Sequence, residues 1–308
     1  MDVGEFELIS DVTADLPAGD DVLLGVGDDA AVLRPAGDVV VTTDMLVDGI
    51  HFRQNWSPAF QIGRKAVAVN VSDVESMGAV PSAIVMALGL PAEAELDWVR
   101  ELSAGVRDEA ARAGVSLVGG DTARSGAVVI TVTALGNLDG RAPVTRSGAR
   151  EGDLVAVAGR LGWAGAGLTV LQRGFGSPKE LVAEQQCPSV PYGQGRVASE
   201  AGATSMVDIS DGLLADLGHV CAASGVGMDL ATSNFELPEA IQRVSAATGV
   251  SPWNFILAGG EDHALAATFP AGTELPAGWR RVGVVTGSGE VTVDGERWEG
   301  PRGWTHFG

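Results

Sequence analysis

Alternating strand and helix signals in two successive halves predict an α/β (α+β) protein of two domains. Three observations carry this. The chain has 308 residues, 45% of them hydrophobic, which exceeds what one domain of ~100–200 residues holds. Short apolar runs rich in Val and Ile alternate with segments whose apolar residues recur at helical spacing. A polar stretch rich in Arg, Gly and Ser at 139–153 parts the halves, so the expected domains are 1–138 and 139–308.

In the first half, an apolar strand through Val39 and Val41 runs into Thr42, Thr43 and Asp44, with Asp44 opening a loop. Ser57 and Pro58 predict a helix start, a cap followed by proline at the first helical position. Ile62, Ala66, Val69 and Asp73 then recur at helical spacing, which turns the Asp73 carboxylate inward with the apolar residues. Residues 82–90 read as a buried strand. Residues 93–113 read as an amphipathic helix stopped by Gly114, with short strands at 116–118 and 128–134. The second half predicts a strand at 155–158, helices at 163–173 and 194–201, and a Pro- and Gly-rich loop at 174–193 between them. A strand at 206–209, a helix at 212–223, a strand at 228–230 and a helix at 238–247 follow. The last strands fall near 264–268, 282–285 and 290–293.

The net charge of −20 argues against a nucleic-acid partner, because such a chain repels phosphates. Apolar stretches such as 82–90 are far shorter than the ~18 residues of a membrane span, so no membrane partner is expected. The opening MDVGEFELIS has neither a basic nor an apolar leader region. Cys187 and Cys221 form no CxxC, and His51, His219, His263 and His306 have no zinc spacing. A reducing cytoplasmic location is expected.

One habit carries chemistry. Apolar segments repeatedly end in small residues and then acid: GVGDDAA at 25–31, VVVTTD ending at Asp44, AVNVSD ending at Asp73, SLVGGD ending at Asp121, SMVDISDG at 205–212 and FILAGGED ending at Asp262. A single acid of this kind is ordinarily a helix cap or a turn residue. Repeated after apolar runs, such acids converge on a shared rim, where unbalanced carboxylates would repel one another. Oxygen-rich sets of this type suit Mg²⁺ or Ca²⁺. The EF-hand spacing is missing, as are the P-loop, the protein-kinase motif set and GxGxxG.

The ordered motifs GEFELI (4–9), GVGDDAAV (25–32), TTDMLVDGIHF (42–52), KAVAVNVSDVESMGA (65–79), VGGDTAR (118–124), VTRSGAREGD (144–153), DISDGLLADLGH (208–219), LAGGEDH (257–263) and GWTHF (303–307) run nearly end to end. In them the chain resembles the thiamine-monophosphate kinase family. That family's superfamily also holds aminoimidazole ribonucleotide synthetase, selenophosphate synthetase and the hydrogenase maturation ATPase. The resemblance implies a fold as in aminoimidazole ribonucleotide synthetase, with an N-terminal mixed sheet forming a homodimer interface. It implies an N-terminal ATP/Mg-binding and dimerisation domain and a C-terminal α/β domain completing the active site. The implied reaction is ATP-dependent phosphorylation of thiamine monophosphate to thiamine diphosphate, by direct in-line transfer assisted by several Mg²⁺ ions, with Mg²⁺ as cofactor and ATP as co-substrate.

Carried onto matching positions, the resemblance implies that Asp29, Thr42, Thr43, Asp44, Asp73, Asp121, Asp208 and Asp211 hold a set of Mg²⁺ ions around the ATP phosphates, with Asp44, Asp73, Asp121 and Asp211 central to catalysis. Gly120, Asp121, Arg146 and Ser210 would contact ATP. His51, Glu261 and Trp304 would contact thiamine monophosphate. Two departures stand out. His263 follows GGED where a Tyr is the family pattern, and 185–195 reads QQCPSVPYGQG, so no basic contact is carried over from that loop. The alternatives are another ATP-dependent enzyme of the superfamily, such as the ribonucleotide cyclase, or a non-catalytic acidic protein that binds metal or nucleotide.

Overall fold

A computed structural model describes residues 19–27, 30–287 and 289–304. The chain divides into two compact units. One takes residues up to Val74 together with Ala79–Arg141; the other takes Glu75–Gly78 and the chain from Ala142 onward.

The first unit is built on a four-stranded sheet of order β3-β6-β4-β5, with β3 Val39–Val47, β4 Val80–Leu90, β5 Ser116–Arg124 and β6 Val129–Asn137. A separate short pair joins β1 Val22–Leu24 to β2 Val32–Leu33. Strands β4 and β5 run parallel, joined by helix α2 Leu96–Ala113, and the other pairings in the four-stranded sheet are antiparallel. Burial follows strand alternation. Ile84, Met86, Leu88, Ile130, Val132 and Ala134 are buried, whereas Val39, Val41, Met45 and Val85 stay exposed. One face therefore holds the core and the other presents apolar side chains outward.

Helix α1, Ala59–Ser76, buries Ile62, Ala66 and Val69, as their spacing predicts. It meets α2 backbone to backbone. A Cβ at Gly63 would run into the Leu102 carbonyl oxygen, and one at Gly105 into the Phe60 carbonyl oxygen.

The second unit holds a seven-stranded sheet of order β13-β12-β9-β11-β7-β10-β8. Its strands are β7 Leu154–Ala158, β8 Ser205–Asp208, β9 Gly227–Leu230, β10 Leu265–Phe269, β11 Trp279–Thr286, β12 Val291–Val293 and β13 Glu296–Arg297. Only β12 and β9 pair in parallel. Helices α3 Trp163–Gln172, α4 Lys179–Gln186, α6 Leu213–Ser224, α7 Glu239–Thr248 and α8 Pro252–Ala258 share one core with Val155, Val157, Val207 and Val282 of the sheet. Alternate sheet residues Ala156, Met206, Leu265 and Phe269 form a second core with Ala198 of α5, Gln194–Glu200.

Several expectations change. Asp44 does not open a loop: β3 continues through it to Val47, because pairing with β6 runs unbroken from Val39↔Asn137 to Val47↔Val129. The strand expected at 116–118 extends to Arg124, so Asp121 is also inside a strand. The loop expected at 174–193 contains α4, and α8 is an additional helix. Asp29, the GEFELI segment and residues 305–308 lie outside the described residues.

Candidate functional site

In the first unit, β3 and α1 bring four polar side chains together. Thr42 and Asp44 alternate with Val41, Thr43 and Met45 along β3 and so face α1. The Thr42 hydroxyl donates to Asp73 Oδ2 at 2.7 Å. The backbone N–H of Asp44 donates to Asn70 Oδ1 at 2.8 Å, and the Asn70 amide donates to the Ala66 carbonyl at 2.9 Å. Asn70 is buried. It fixes the Asp44 backbone and leaves the Asp44 carboxylate exposed.

Thr43 lies on the opposite face. Its hydroxyl donates to the Val132 carbonyl at 3.0 Å and lies 3.2 Å from the Thr133 hydroxyl. Asp121 is exposed on β5, the far edge of the sheet from β3. The pairings Asp44↔Val132, Val132↔Met86 and Met86↔Gly120 line Asp44 up with Gly120 across four strands. At ~4.8 Å per strand, Asp44 and Gly120 are about 14 Å apart. One ion does not bridge Asp44 and Asp121 over such a span. Gly120 must be small, since a Cβ there would strike the Met86 carbonyl.

The turn after β3 carries His51. Its Nδ1 accepts the Val47 N–H at 3.1 Å, which places the proton of the neutral ring on Nε2. Lys65, almost fully buried, donates to the His51 carbonyl at 3.2 Å.

In the second unit the candidate residues gather around the turn between β8 and α6. Asp208 ends β8, buried, with Oδ2 3.1 Å from Nδ1 of His263, also buried. The segment 259–263 packs on this turn. Glu261 donates its N–H to the Ser210 carbonyl at 2.7 Å, and His263 donates its N–H to the Ile209 carbonyl at 2.8 Å. Glu261 and His263 adopt φ of +66° and +48°, a conformation non-glycine residues rarely take. Trp304 is 63% exposed and donates its N–H to the Asp211 carbonyl at 3.0 Å.

Asp216 is buried in the first turn of α6. Its Oδ2 accepts the N–H groups of Asp211 at 3.1 Å and Gly212 at 3.0 Å. Burial pushes its carboxyl up to about 7; the charges of Asp208 and Asp211 add to this and the two N–H donors oppose it. Asp211, Asp216 and His219 each bring one ligand atom within 4.8 Å of the others. Asp262 is buried and caps α3, accepting the N–H groups of Gly162 and Ala164. Burial raises it to about 7 against those two bonds.

Arg146 is exposed, on a loop pinned by Ser224. The Ser224 hydroxyl donates to the Arg146 carbonyl at 3.0 Å and accepts the Gly148 and Ala149 N–H groups. The 185–195 segment is anchored by acids. Glu184 takes the Ser189 N–H and hydroxyl and pairs with Arg160, and Glu75 takes the Gly193 and Gly195 N–H groups. Among the described residues, no helix is long and apolar enough to cross a membrane.

Residues 27–138 match the family model of the AIR synthase related protein, N-terminal domain, and 150–296 match that of the C-terminal domain. A thiamine-monophosphate kinase of Mycobacterium tuberculosis (strain ATCC 25618 / H37Rv) is 46% identical over 310 residues, covering 99% of this chain and 92% of its own. The chain belongs to the thiamine-monophosphate kinase family. The thiamine-monophosphate kinase structure from Stenotrophomonas maltophilia K279a superposes with a TM-score of 0.81 at 34% identity, covering 94% of this chain and 95% of that one. AaThiL complexed with AMPPCP and TMP superposes at 0.80 and 33% identity, with 92% of each chain covered. Within the thiamine-monophosphate kinase motifs, sequence reasoning missed Asn70 and Asp216. Both act on backbone N–H groups of other residues. The only signal they gave was a buried-side polar residue within an apolar helical stripe.

Proposed function

We propose that this chain transfers the γ-phosphoryl group of ATP to the phosphate of thiamine monophosphate, giving thiamine diphosphate and ADP. The observation that carries it is whole-chain likeness to AaThiL complexed with AMPPCP, an ATP analogue, and TMP, together with the oxygen groups of Thr42, Asp44 and Asp73 on β3 and α1.

The donor set fits Mg²⁺. Carboxylates and hydroxyls are the hard oxygen ligands it prefers, and Asp208 is a buried acid whose charge a cation would help to balance. Asp29, Thr42, Asp44, Asp73, Asp121, Asp208 and Asp211 would hold several such ions, Asp44 and Asp121 different ones. The resemblance adds Thr43 to this set, on the opposite face of β3 with its hydroxyl bonded to Val132 and Thr133. When bound, Mg²⁺ supplies charge neutralisation and alignment of the phosphates. Gly120 and Ser210 would contact the nucleotide beside Asp121. Arg146 would balance nucleotide charge, and its loop is already ordered by Ser224.

The acceptor is itself a phosphate with a second pKa near ~6, so an oxygen of its dianion can attack directly. That oxygen forms the new bond to the γ-phosphorus as the bond to the β–γ bridging oxygen breaks. No general base or phosphoenzyme is required. His51 would offer its Nε2 proton, Glu261 its carboxylate and Trp304 its ring face to the cationic substrate. A division at 138/139 gives the N-terminal domain dimerisation as well as Mg·ATP binding. The outward apolar residues Val39, Val41, Met45 and Val85 favour a homodimer through that sheet.

The test is mass detection of thiamine diphosphate after mixing the protein with ATP, Mg²⁺ and thiamine monophosphate. Product that depends on both substrates supports the reading. ADP release indifferent to thiamine monophosphate but stimulated by another small phosphate would move the chain to another activity of the superfamily.

A further inference from the structure

We propose that Asp216 is a positioning residue for cation binding: it sets the Asp211–Gly212 backbone so that the Asp211 carboxylate is presented to the ion. This rests on the reading of Asp211 as a metal ligand.

The turn from Asp208 to Leu213 must place Asp211 at the entrance of α6. A turn residue there has no helical or sheet partner for its N–H. The structure provides one acceptor for two such groups. Asp216 Oδ2 takes the N–H of Asp211 at 3.1 Å and that of Gly212 at 3.0 Å. Asp216 is 3% exposed, so water does not compete for these bonds, and leaving the donors unpaired at a buried site would be costly.

The remaining constraints on the turn agree. Gly212 adopts φ +122°, and a Cβ there would strike the backbone of Ala258. The N–H of Asp216 in turn donates to the Gly212 carbonyl at 3.0 Å, closing the first helical turn over the carboxylate's own anchor. The Asp211 carbonyl is also engaged, by the N–H of Trp304. Both backbone polar groups of Asp211 are thereby fixed, and its side chain is the part left half-exposed. A buried acid that holds the main chain of a ligand carries a desolvation cost. It is suited to holding a ligand still, since partners that orient metal ligands typically govern affinity by about 10–100-fold.

Both accepted bonds go to one oxygen, which gives a discriminating test. Asp216→Asn can put its carbonyl oxygen in the Oδ2 place and keep both bonds while losing the charge. Asp216→Leu keeps the bulk and loses both bonds. Asp216→Glu keeps the charge and displaces the acceptor. Mn²⁺ binding to the full-length protein, with ADP present, is followed by the paramagnetic resonance of the free ion, with Asp211→Asn as reference. The expected result is a Kd within about threefold of wild type for Asp216→Asn and weaker by about tenfold or more for Asp216→Leu and Asp216→Glu. If Asp216→Leu does not fold, Asp216→Glu carries the same expectation. Wild-type Mn²⁺ affinity in Asp216→Leu or Asp216→Glu overturns the proposal in favour of helix capping alone. Asp216→Asn weakened as far as Asp211→Asn overturns it in favour of Asp216 as a direct ligand. If Asp211→Asn itself binds Mn²⁺ like wild type, the reading of Asp211 fails and the proposal falls with it, an outcome separate from the other two.

Discussion

Thr42 on β3 and Asp73 on α1 are joined by a 2.7 Å hydrogen bond from hydroxyl to carboxylate. It ties the strand that carries Asp44 to the helix that carries Asn70, so strand and helix present their oxygens together.

Asp44 is exposed, and its backbone N–H is held by Asn70. Asp44→Asn keeps that bond and lowers the ligand charge. We expect turnover to fall at least about a hundredfold, ~2.7 kcal/mol of transition-state stabilisation, while the thermal midpoint in the absence of metal stays close to wild type. Initial rates at limiting Mg²⁺ check this. Near wild-type rates in a folded variant would remove Asp44 from the ligand set.

The acids gathered in each unit favour a bound divalent cation in the folded state over the unfolded one. The midpoint is expected to rise with MgCl₂, and further with Mg·ATP, relative to NaCl at equal ionic strength. Identical midpoints in the two salts would mean that the acids serve only as a solvated surface.

Trp304 is held by its main chain and its ring is largely exposed, so removing the ring should cost little stability. Trp304→Ala is expected to raise KM for thiamine monophosphate about 5- to 30-fold, from a lost cation–π contact of ~1–2 kcal/mol. KM for ATP should hardly change, and Trp304→Phe should recover part of the loss. Steady-state kinetics with each substrate varied in turn decide it.

Asp262 gives a pH signature. Its folded pKa of about 7 lies above the ordinary 3.8, so the folded state holds the proton more tightly than the unfolded chain does. The stability this gives is complete below pH ~4 and is lost as pH rises through 7, by at most ~1.4 kcal/mol per unit. Urea unfolding in chelator at pH 5 and pH 8 should show a larger loss for wild type than for Asp262→Asn. Equal losses would show that Asp262 is already ionised across this range.

If the outward apolar face of β3 and β4 is a subunit interface, Val41→Glu should yield monomer under conditions where wild type is a dimer. Light scattering after size exclusion measures this. An unchanged mass would place the interface elsewhere.

The alternation of strands and helices was legible because apolar spacing records which face is buried, as at Ile62, Ala66 and Val69. The position of the acids within their elements was less so. VVVTTD reads as an apolar run ending in polar residues, yet β3 passes through Asp44, since β6 supplies partners up to Val47. The strand expected to end at Val118 runs on through Gly119 and Gly120 to Arg124, and Gly120 lies so close to β4 that a side chain there would strike the Met86 carbonyl. Helix α8 had its start written in Ser251 and Pro252 but was too short to show a period. Asn70 and Asp216 were hidden for another reason. Their partners are main-chain groups, and sequence carries no mark of which N–H a side chain will reach.

The glycine contacts between α1 and α2 bear on how this enzyme can drift. Helical glycines are ordinarily the first targets for thermostabilising Gly→Ala exchange. At Gly63 and Gly105 that exchange would force apart two helices, one of which carries Asn70 and Asp73. Volume-conserving exchanges at buried neighbours such as Val67 and Val71 are the better tolerated kind of change. A single added methyl group at either glycine is not, because it meets backbone.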